Sequence, residues 1–398
     1  MEETIRMRSC LYGFVAVAIV WAAMLLSAVA AAQEPRPLHW DRASAGALLA
    51  YIERIDSHGL KSANYGPTEL ERAIASDDPR ELERQATESF ALVAGDLAIG
   101  RVRPGRRGRY FIAPNSLDPA EVARLIDSAI ASRQIAIALE SLAPRNPEYR
   151  LLRRALDQLD ASKREERRRI EVNLERWRWF PRAPGSQFLL VNIPEFQLRL
   201  MQGEQVIESH RVVVGKRSTP TPQFSAQATA VILNPSWHVP QSIIAESVGN
   251  LVRTRPGEAR RRGYTWAFDK SGKLQVTQQP GPQNALGQLK LEMTNPLSIY
   301  IHDTPSKNLF EQDVRAFSHG CIRAQAPFEL ALMLLAGTAW TRPAIDEAVA
   351  RRVTARAALA SPVPVYAVYM TAVPQPDGTV RYLDDLYRLD AAIADQLD

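Results

Sequence analysis

The residues with the greatest chemical potential lie in one short stretch of the chain. Cys321 follows His319 and Gly320 directly, and His302 lies less than twenty residues before it. A free thiol is only a few per cent thiolate near neutral pH, and a neighbouring imidazole can take its proton and stabilise the charged pair. A His and a Cys brought together in this way indicate nucleophilic catalysis at sulfur.

Cysteine usage makes Cys321 an unusual residue. The chain has two Cys, and Cys10 lies in the N-terminal hydrophobic segment, so Cys321 is the only thiol expected in the mature protein. Such a thiol in an oxidising compartment is either buried and inert or kept for its reactivity. Gly320 fits the second interpretation, because a residue without Cβ can turn sharply enough for neighbouring amides to converge on one oxygen.

The N-terminal residues indicate the compartment. Arg6 and Arg8 precede an uncharged run over residues 11–32, which contains the small-residue sequence 28–30. This pattern is typical of a signal peptide, residues 1–30, that is cleaved after Ala30, although the run is also long enough to remain as a membrane anchor. We therefore expect an exported protein of the periplasm or cell envelope, with membrane association only through this segment.

Composition favours two ordinary folded domains. The 398 residues are 46% hydrophobic and 23% charged, with a formal net charge of +5. A mild basic excess suits an anionic polymer as partner, but the expected export and the lack of a recognition helix or aromatic-basic motif argue against nucleic acid. We expect no cofactor, and the sequence does not identify protein partners.

The hydrophobic period divides the chain into two regions. From Asp41 to about residue 180 apolar residues recur at helical spacing, and Asp–Pro pairs at 78–79 and 118–119 predict helix starts. Beyond residue 185 the period is that of strands, and six are predicted: 188–191, 196–200, 211–214, 228–233, 297–301 and 363–371. We predict an α+β fold, with a helical scaffold domain (31–185) and a β-rich catalytic domain (186–398) that contains a polar helical insertion (about 241–285) and a C-terminal helix after residue 384.

The stretch around Cys321 resembles the catalytic domain of the YkuD-type L,D-transpeptidases. That family carries a His, a gap of under twenty residues, then Ser-His-Gly-Cys, a hydrophobic residue and Arg or Asn, and residues 302 and 318–323 match every element. Other segments resemble the branch with a large helical scaffold: 173–176, 212–216, 234–237, 279–287 and 302–305. The small peptidoglycan-binding module that this branch often carries has no counterpart between Leu156 and Arg168.

The resemblance implies an enzyme of cell-wall biogenesis that acts on peptidoglycan stem peptides and so affects cell shape. Cys321 would attack the carbonyl joining the third stem residue to a terminal D-alanine, and His302, oriented by the carbonyl of Asp303, would donate and accept the proton. The backbone amides of His319, Gly320 and Cys321 are candidates for the oxyanion hole. Attack by the amine of a neighbouring stem would then give a 3,3-type cross-link.

Three further residues are candidates for substrate binding. Arg323 would bind a stem carboxylate or brace the turn at Cys321. Trp237 would line the cleft, although aromatic residues beside prolines more often serve packing. Asn284, together with Gly287, would shape the cleft under a cover made by the insertion, or else belong to a rigid loop.

Several alternatives remain open. The same acyl-enzyme would support L,D-carboxypeptidase activity, D-amino-acid exchange or attachment of a protein to the wall, and a non-catalytic wall-binding protein would keep the same fold. A zinc site on His302, His319 and Cys321 uses the preferred ligand types, but a structural site lacks paired Cys and a fourth ligand at a recognisable spacing. We therefore predict no metal site. The diamino acid at stem position three is not predicted.

Overall fold

The structure is a computed structural model that describes residues 40–398. The predicted signal peptide and His39 lie outside the described residues, so the export prediction stays a prediction. Within residues 40–398 no helix has both the length and the apolar character needed to cross a bilayer.

The first region is helical, as predicted, and three Asp residues begin its helices. The Asp41 carboxylate accepts the amide of Ser44 at 2.6 Å at the start of helix Arg42–Ile52. Asp78 and Asp118 cap helices Pro79–Ala98 and Pro119–Ser132 in the same way, which satisfies amides that have no partner within the helix. The other helices here are Pro67–Ala75, Ile135–Ser141, Pro147–Gln158 and Arg164–Trp179, with 3₁₀ turns Ile55–His58, Ser62–Tyr65 and Pro104–Arg106.

The second region is built on one large sheet that closes on itself. Its ring of strands runs in the order Gln223–Leu233, Ala355–Val368, Gln187–Asn192, Gln197–Gln202, Gln205–Gly215, Ile322–Ala324, Ile301–His302 and Leu289–Thr294, and the last pairs again with the first. Two short strands pair at its margin, Tyr110–Phe111 from the helical region and Ala316–Ser318. Closure leaves few open edges, which protects the sheet from pairing with other chains.

Two sequence predictions in this region need correction. The strand predicted over residues 297–301 is reduced to Ile301–His302, because the Asn295 side chain accepts the amides of Leu297 and Ile299 and Ser298 has φ +53°. The insertion is only partly helical. Its helices are Gln241–Ile243, Ile244–Val248, Gly249–Thr254 and Pro256–Arg261, and a hairpin of Tyr264–Phe268 and Leu274–Gln278 pairs with Trp237–His238.

The remaining elements surround the sheet. They are the 3₁₀ turn Lys307–Glu311, helices Pro327–Leu334 and Arg342–Ala350, the hairpin of Ala372–Pro374 and Val380–Tyr382, and helix Asp390–Leu397. The last confirms the predicted C-terminal helix. The overall arrangement confirms the α+β class, with a helical region followed by a β-rich domain.

The two regions share a hydrophobic core. In strand Gln187–Asn192, Leu189 and Val191 face the interior of the closed sheet, whereas Phe188 and Leu190 pack into the core of the helical region. Alternation of side chains along a strand produces this division. Because one sheet serves two cores, the helical region directly supports the strands that carry the candidate site.

Candidate active site

Sheet register places the predicted catalytic residues on neighbouring strands. Strand Ile301–His302 runs parallel to Ile322–Ala324, with His302 opposite Arg323, and the amide of Ile322 donates to the carbonyl of Tyr300 at 2.9 Å. Residues paired across strands, and residues two apart along a strand, share one face of a sheet. Cys321 lies two residues before Arg323, so this register puts it diagonally across from His302 on the same face.

His302 is held as a neutral imidazole. Its Nδ1 hydrogen-bonds to the carbonyl of Asp303, so in the neutral ring this nitrogen carries the proton and Nε2 has a free lone pair. Burial, and next the positive charge of Arg323, lowers the pKa of His302 to about 4, although the backbones of Asp303 and Leu286 act in the opposite direction. His302 can therefore accept a proton at neutral pH.

Cys321 is half-buried and stays a thiol at neutral pH. Burial raises the pKa of the Cys321 thiol, and a hydrogen bond with the backbone of Tyr300 and the charges of Arg323 and Lys290 only partly offset this. Among the hydrogen bonds of residues 40–398, none joins the thiol to the ring of His302. Catalytic hydrogen bonds are often long in free enzymes and shorten when substrate binds.

The turn before Cys321 corrects one expectation. Gly320 has φ +117°, which residues with a Cβ rarely adopt. Its amide donates to the hydroxyl of Ser318 at 3.0 Å, and that hydroxyl donates to the carbonyl of Cys321. The Gly320 amide is thus occupied within the turn, whereas the amides of His319 and Cys321 have no hydrogen-bond partner in the described structure. Only the latter two remain candidates for an oxyanion hole.

Two threonines that the sequence analysis missed brace this turn. Thr219 Oγ1 donates to the carbonyl of Ser318 at 3.1 Å, and Thr221 Oγ1 donates to the carbonyl of Gly320 at 2.8 Å. A Cβ on the neighbouring Gly215 would lie 2.2 Å from the carbonyl oxygen of Thr219, so this approach needs glycine. Gly215 belongs to a segment that resembles the family, but the threonines carry no sequence signal of their own.

Asp303 links His302 to the loop over residues 279–287. Its buried carboxylate accepts the amide of Gln288 at 2.9 Å and pairs with the ammonium of Lys307. Gly287 has φ +64°, and a Cβ there would lie 2.2 Å from Asp303 Oδ2. The loop therefore packs directly against the residue whose carbonyl orients His302.

The three predicted substrate-binding residues differ in how far their side chains are able to contact a ligand. Arg323 makes no side-chain hydrogen bond or ion pair with the described residues, and its Nε is buried without a partner, so its guanidinium can receive an anion. The prediction that Asn284 binds substrate needs correction. Asn284 is 1% exposed, and its side chain bonds to the carbonyls of residues 235, 278 and 279 and to the amide of residue 286. Trp237 is partly buried against the apolar cluster of the insertion, as packing would require.

His319 is joined to the insertion. Its Nε2 lies 2.8 Å from Glu246 Oε2, and the other oxygen of Glu246 lies 3.2 Å from Lys216 Nζ. Hydrogen bonds from His319 and then Lys216 lower the pKa of the Glu246 carboxyl. No cluster of three or more His, Cys, Asp or Glu suited to a metal ion occurs within residues 40–398.

Family models match two segments of the chain. Residues 186–350 match the model of the YkuD family, described as the L,D-transpeptidase catalytic domain, and residues 26–156 match the model of a scaffold domain. The chain carries a YkuD-type catalytic domain. The matched residues include His302, Cys321 and the whole insertion.

Comparisons with individual proteins find L,D-transpeptidases. A Haemophilus influenzae protein provisionally named as an L,D-transpeptidase is 29% identical over 284 residues, which cover 67% of this chain and 57% of that protein. Two solved structures also match 46% of the chain. An L,D-transpeptidase from Mycobacterium smegmatis is 14% identical with 58% of its chain covered and a TM-score of 0.26. The L,D-transpeptidase LdtMt1 in complex with imipenem is 15% identical with 59% covered and a TM-score of 0.25.

Proposed function

We propose that this protein is a periplasmic or envelope L,D-transpeptidase that cross-links peptidoglycan stem peptides through a Cys321 thioester. The observation that carries this proposal is the pairing of a buried neutral imidazole, whose Nδ1 is committed to the Asp303 carbonyl, with the Cys321 thiol immediately before the neighbouring strand Ile322–Ala324. This arrangement leaves Nε2 of His302 to take the thiol proton.

The first half-reaction acylates the enzyme. Cys321 Sγ attacks the carbonyl that joins the third stem residue to D-alanine, and His302 Nε2 takes the thiol proton. The amides of His319 and Cys321 stabilise the oxyanion. When the C–N bond breaks, His302 gives the proton to the departing amine, so D-alanine leaves and a thioester remains. Arg323, which lacks an internal partner, binds a carboxylate of the donor stem.

The second half-reaction transfers the acyl group. The side-chain amine of a diamino acid on a neighbouring stem attacks the thioester carbonyl, His302 takes a proton from that amine, and Cys321 leaves as a thiol when the proton is returned. The new amide is a 3,3-type cross-link. Water in place of the amine gives a tripeptide, and a D-amino acid gives exchange, so one acyl-enzyme accounts for all three outcomes.

A direct test incubates the purified full chain with disaccharide tetrapeptide. Wild type is compared with Cys321→Ala and His302→Gln, and mass spectrometry follows acyl-enzyme, free D-alanine and dimer. We expect D-alanine and 3,3-linked dimer with wild type only. Tripeptide without dimer would favour the carboxypeptidase alternative. Wild type that binds peptidoglycan but releases no D-alanine and forms no thiol adduct would overturn the proposal in favour of a wall-binding protein.

A further inference from the structure

The insertion places one accessible carboxylate beside the turn that carries Cys321. Glu246 is 49% exposed at its side chain, and it contacts His319 at 2.8 Å and Lys216 at 3.2 Å. His319 lies two residues before Cys321, and two extended residues span at most about 7 Å. The Glu246 carboxylate therefore lies beside the turn that carries the thioester.

The local fold presents Glu246 toward that turn. It lies at the centre of the π-helical segment Ile244–Val248, whose end residues are buried in the apolar cluster of the insertion. The amide of Gly249 donates to the carbonyl of Ile244, and a Cβ at residue 249 would lie 2.6 Å from that oxygen. The wide turn therefore depends on glycine, and such π segments frequently occur at functional sites.

The charges around Cys321 give Glu246 a distinct role. Arg323 and Lys290 are positive and lie close enough to influence the Cys321 thiol, so they suit the carboxylates of a stem peptide. The Asp303 carboxylate is buried and already holds Lys307 and the amide of Gln288. An incoming ammonium needs a negative partner that is accessible, and Glu246 meets that requirement.

We propose that Glu246 forms the acceptor subsite and binds the primary ammonium of the attacking stem's diamino acid. In the free protein Lys216, itself a primary alkylammonium, occupies this carboxylate, and the acceptor displaces it. The bound ammonium loses one proton to solvent, and the neutral amine then forms the C–N bond as the C–S bond breaks. His302 carries the second amine proton to Cys321. This assignment rests on the proposed transpeptidase function for its reaction but not for its binding.

The kinetic test compares three variants of the full chain. Glu246→Gln is expected to leave D-alanine release within about twofold of wild type and to raise the acceptor KM by about fivefold, shifting product from dimer to tripeptide. Lys216→Met removes the internal competitor and is expected to lower the acceptor KM by about twofold to threefold. Glu258→Gln, which removes an insertion carboxylate paired with Arg255 at 2.9 Å, is the matched control and should change neither.

Equal losses of D-alanine release and dimer in Glu246→Gln would overturn the subsite, because the carboxylate would then act only by positioning the Cys321 turn. A raised acceptor KM in Lys216→Met would overturn it as well.

A binding test separates this proposal from the proposed function. NMR follows the ring of His319 while Nα-acetyl-lysine amide, or the amine-free Nα-acetyl-norleucine amide, is added to the Cys321→Ala protein. We expect the His319 ring signals to shift saturably with the lysine derivative only. The shift should be absent in a Cys321→Ala protein that also carries Glu246→Gln. No shift in an enzyme that cross-links stems would reject the subsite alone. A shift in the Cys321→Ala protein, combined with a wild type that releases no D-alanine from disaccharide tetrapeptide, would reject transpeptidation and keep the subsite.

Discussion

At the scale of single residues, the candidate site is a neutral pair. Burial lowers the pKa of His302 and raises the pKa of Cys321, so both groups favour their uncharged forms. Proton transfer from thiol to imidazole then accompanies attack on the substrate. The pair differs from a preformed thiolate and imidazolium, and it should react slowly with simple alkylating agents in the absence of substrate.

The first prediction concerns acid pH. The pKa of His302 is about 4 in the folded protein, below its ordinary value of 6.5. The kcat/KM for D-alanine release should therefore stay constant from neutral pH down to about pH 4 and fall below it, as His302 becomes protonated. Between these values the unfolded chain binds a proton that the folded one does not, so the free energy of unfolding should decrease by up to about 3 kcal/mol as pH falls through this window. Urea denaturation should accompany the pH–rate profile, and a limb near 6.5 would contradict the neutral buried imidazole.

The second prediction concerns Gly287. Gly287→Ala should lower D-alanine release by more than tenfold, because its Cβ would collide with Asp303 and displace the carbonyl that orients His302. Gly272→Ala is the matched control: Gly272 also has positive φ, at +79°, but nothing lies within 4 Å of its Cβ position. In both variants the free energy of unfolding should fall by about 1–3 kcal/mol, because alanine strains the backbone at a positive φ. Equal activity of the two variants in a D-alanine assay would show that Asp303 does not position the base.

At the scale of elements, helix Arg164–Trp179 buries several charges, and one of its ion pairs joins the two regions. Glu175 and Arg178 are fully buried 3.0 Å apart, and Glu175 also accepts the amide of Val102 and the indole Nε1 of Trp179. Arg176 pairs with Asp390 at 2.6 Å, which fixes the C-terminal helix on the same element. These ion pairs offset part of the cost of burying the charges.

The third prediction tests this helix. Glu175→Ala should lower the free energy of unfolding by about 3–5 kcal/mol, because it leaves Arg178 buried without its partner. Glu69→Ala removes an exposed carboxylate that pairs with Arg72 at 2.9 Å on another helix, and it should change stability little. Urea unfolding monitored by circular dichroism compares the two, and similar midpoints would contradict the assigned importance of the buried pair.

At the scale of the whole molecule, the core of the helical region is completed by the sheet, whereas the interior of the closed sheet is built from the second region alone. The closed sheet sends Phe188, Leu190, Tyr366 and Val368 into the core of the helical region, where they join Phe180 and its neighbours. Separation would expose this apolar surface to water. The helical region is therefore a structural part of the catalytic unit and holds two strands of its sheet.

The fourth prediction follows from the shared core. A fragment of residues 186–398 should lack a cooperative thermal transition and bind a hydrophobic dye, because its outer sheet face is uncovered. Co-expression with residues 40–185 should restore a soluble complex with D-alanine-releasing activity. Size-exclusion chromatography and circular dichroism provide the measurement. A monomeric 186–398 fragment that unfolds cooperatively would show that the regions are independent domains.

Features that depend on residues close together in the chain could be predicted from the sequence. The helix starts at Asp41, Asp78 and Asp118 were predicted correctly, because an Asp cap bonds amides within its own first turn. The same holds for the α+β class and for the family resemblance, since residues 302 and 318–323 form a compact motif.

Contacts between distant segments became known from the folded structure alone. Closure of the sheet, the two faces of strand Gln187–Asn192 and the meeting of Glu246 with His319, 73 residues apart, depend on register and packing across the whole domain. The strand predicted over residues 297–301 was also shorter than expected, because the Asn295 side chain accepts the amides of Leu297 and Ile299 and holds these residues in a turn. The saturated side chain of Asn284 belongs to the same class, because its partner, the carbonyl of residue 235, is 49 residues away and is known only once both segments are folded.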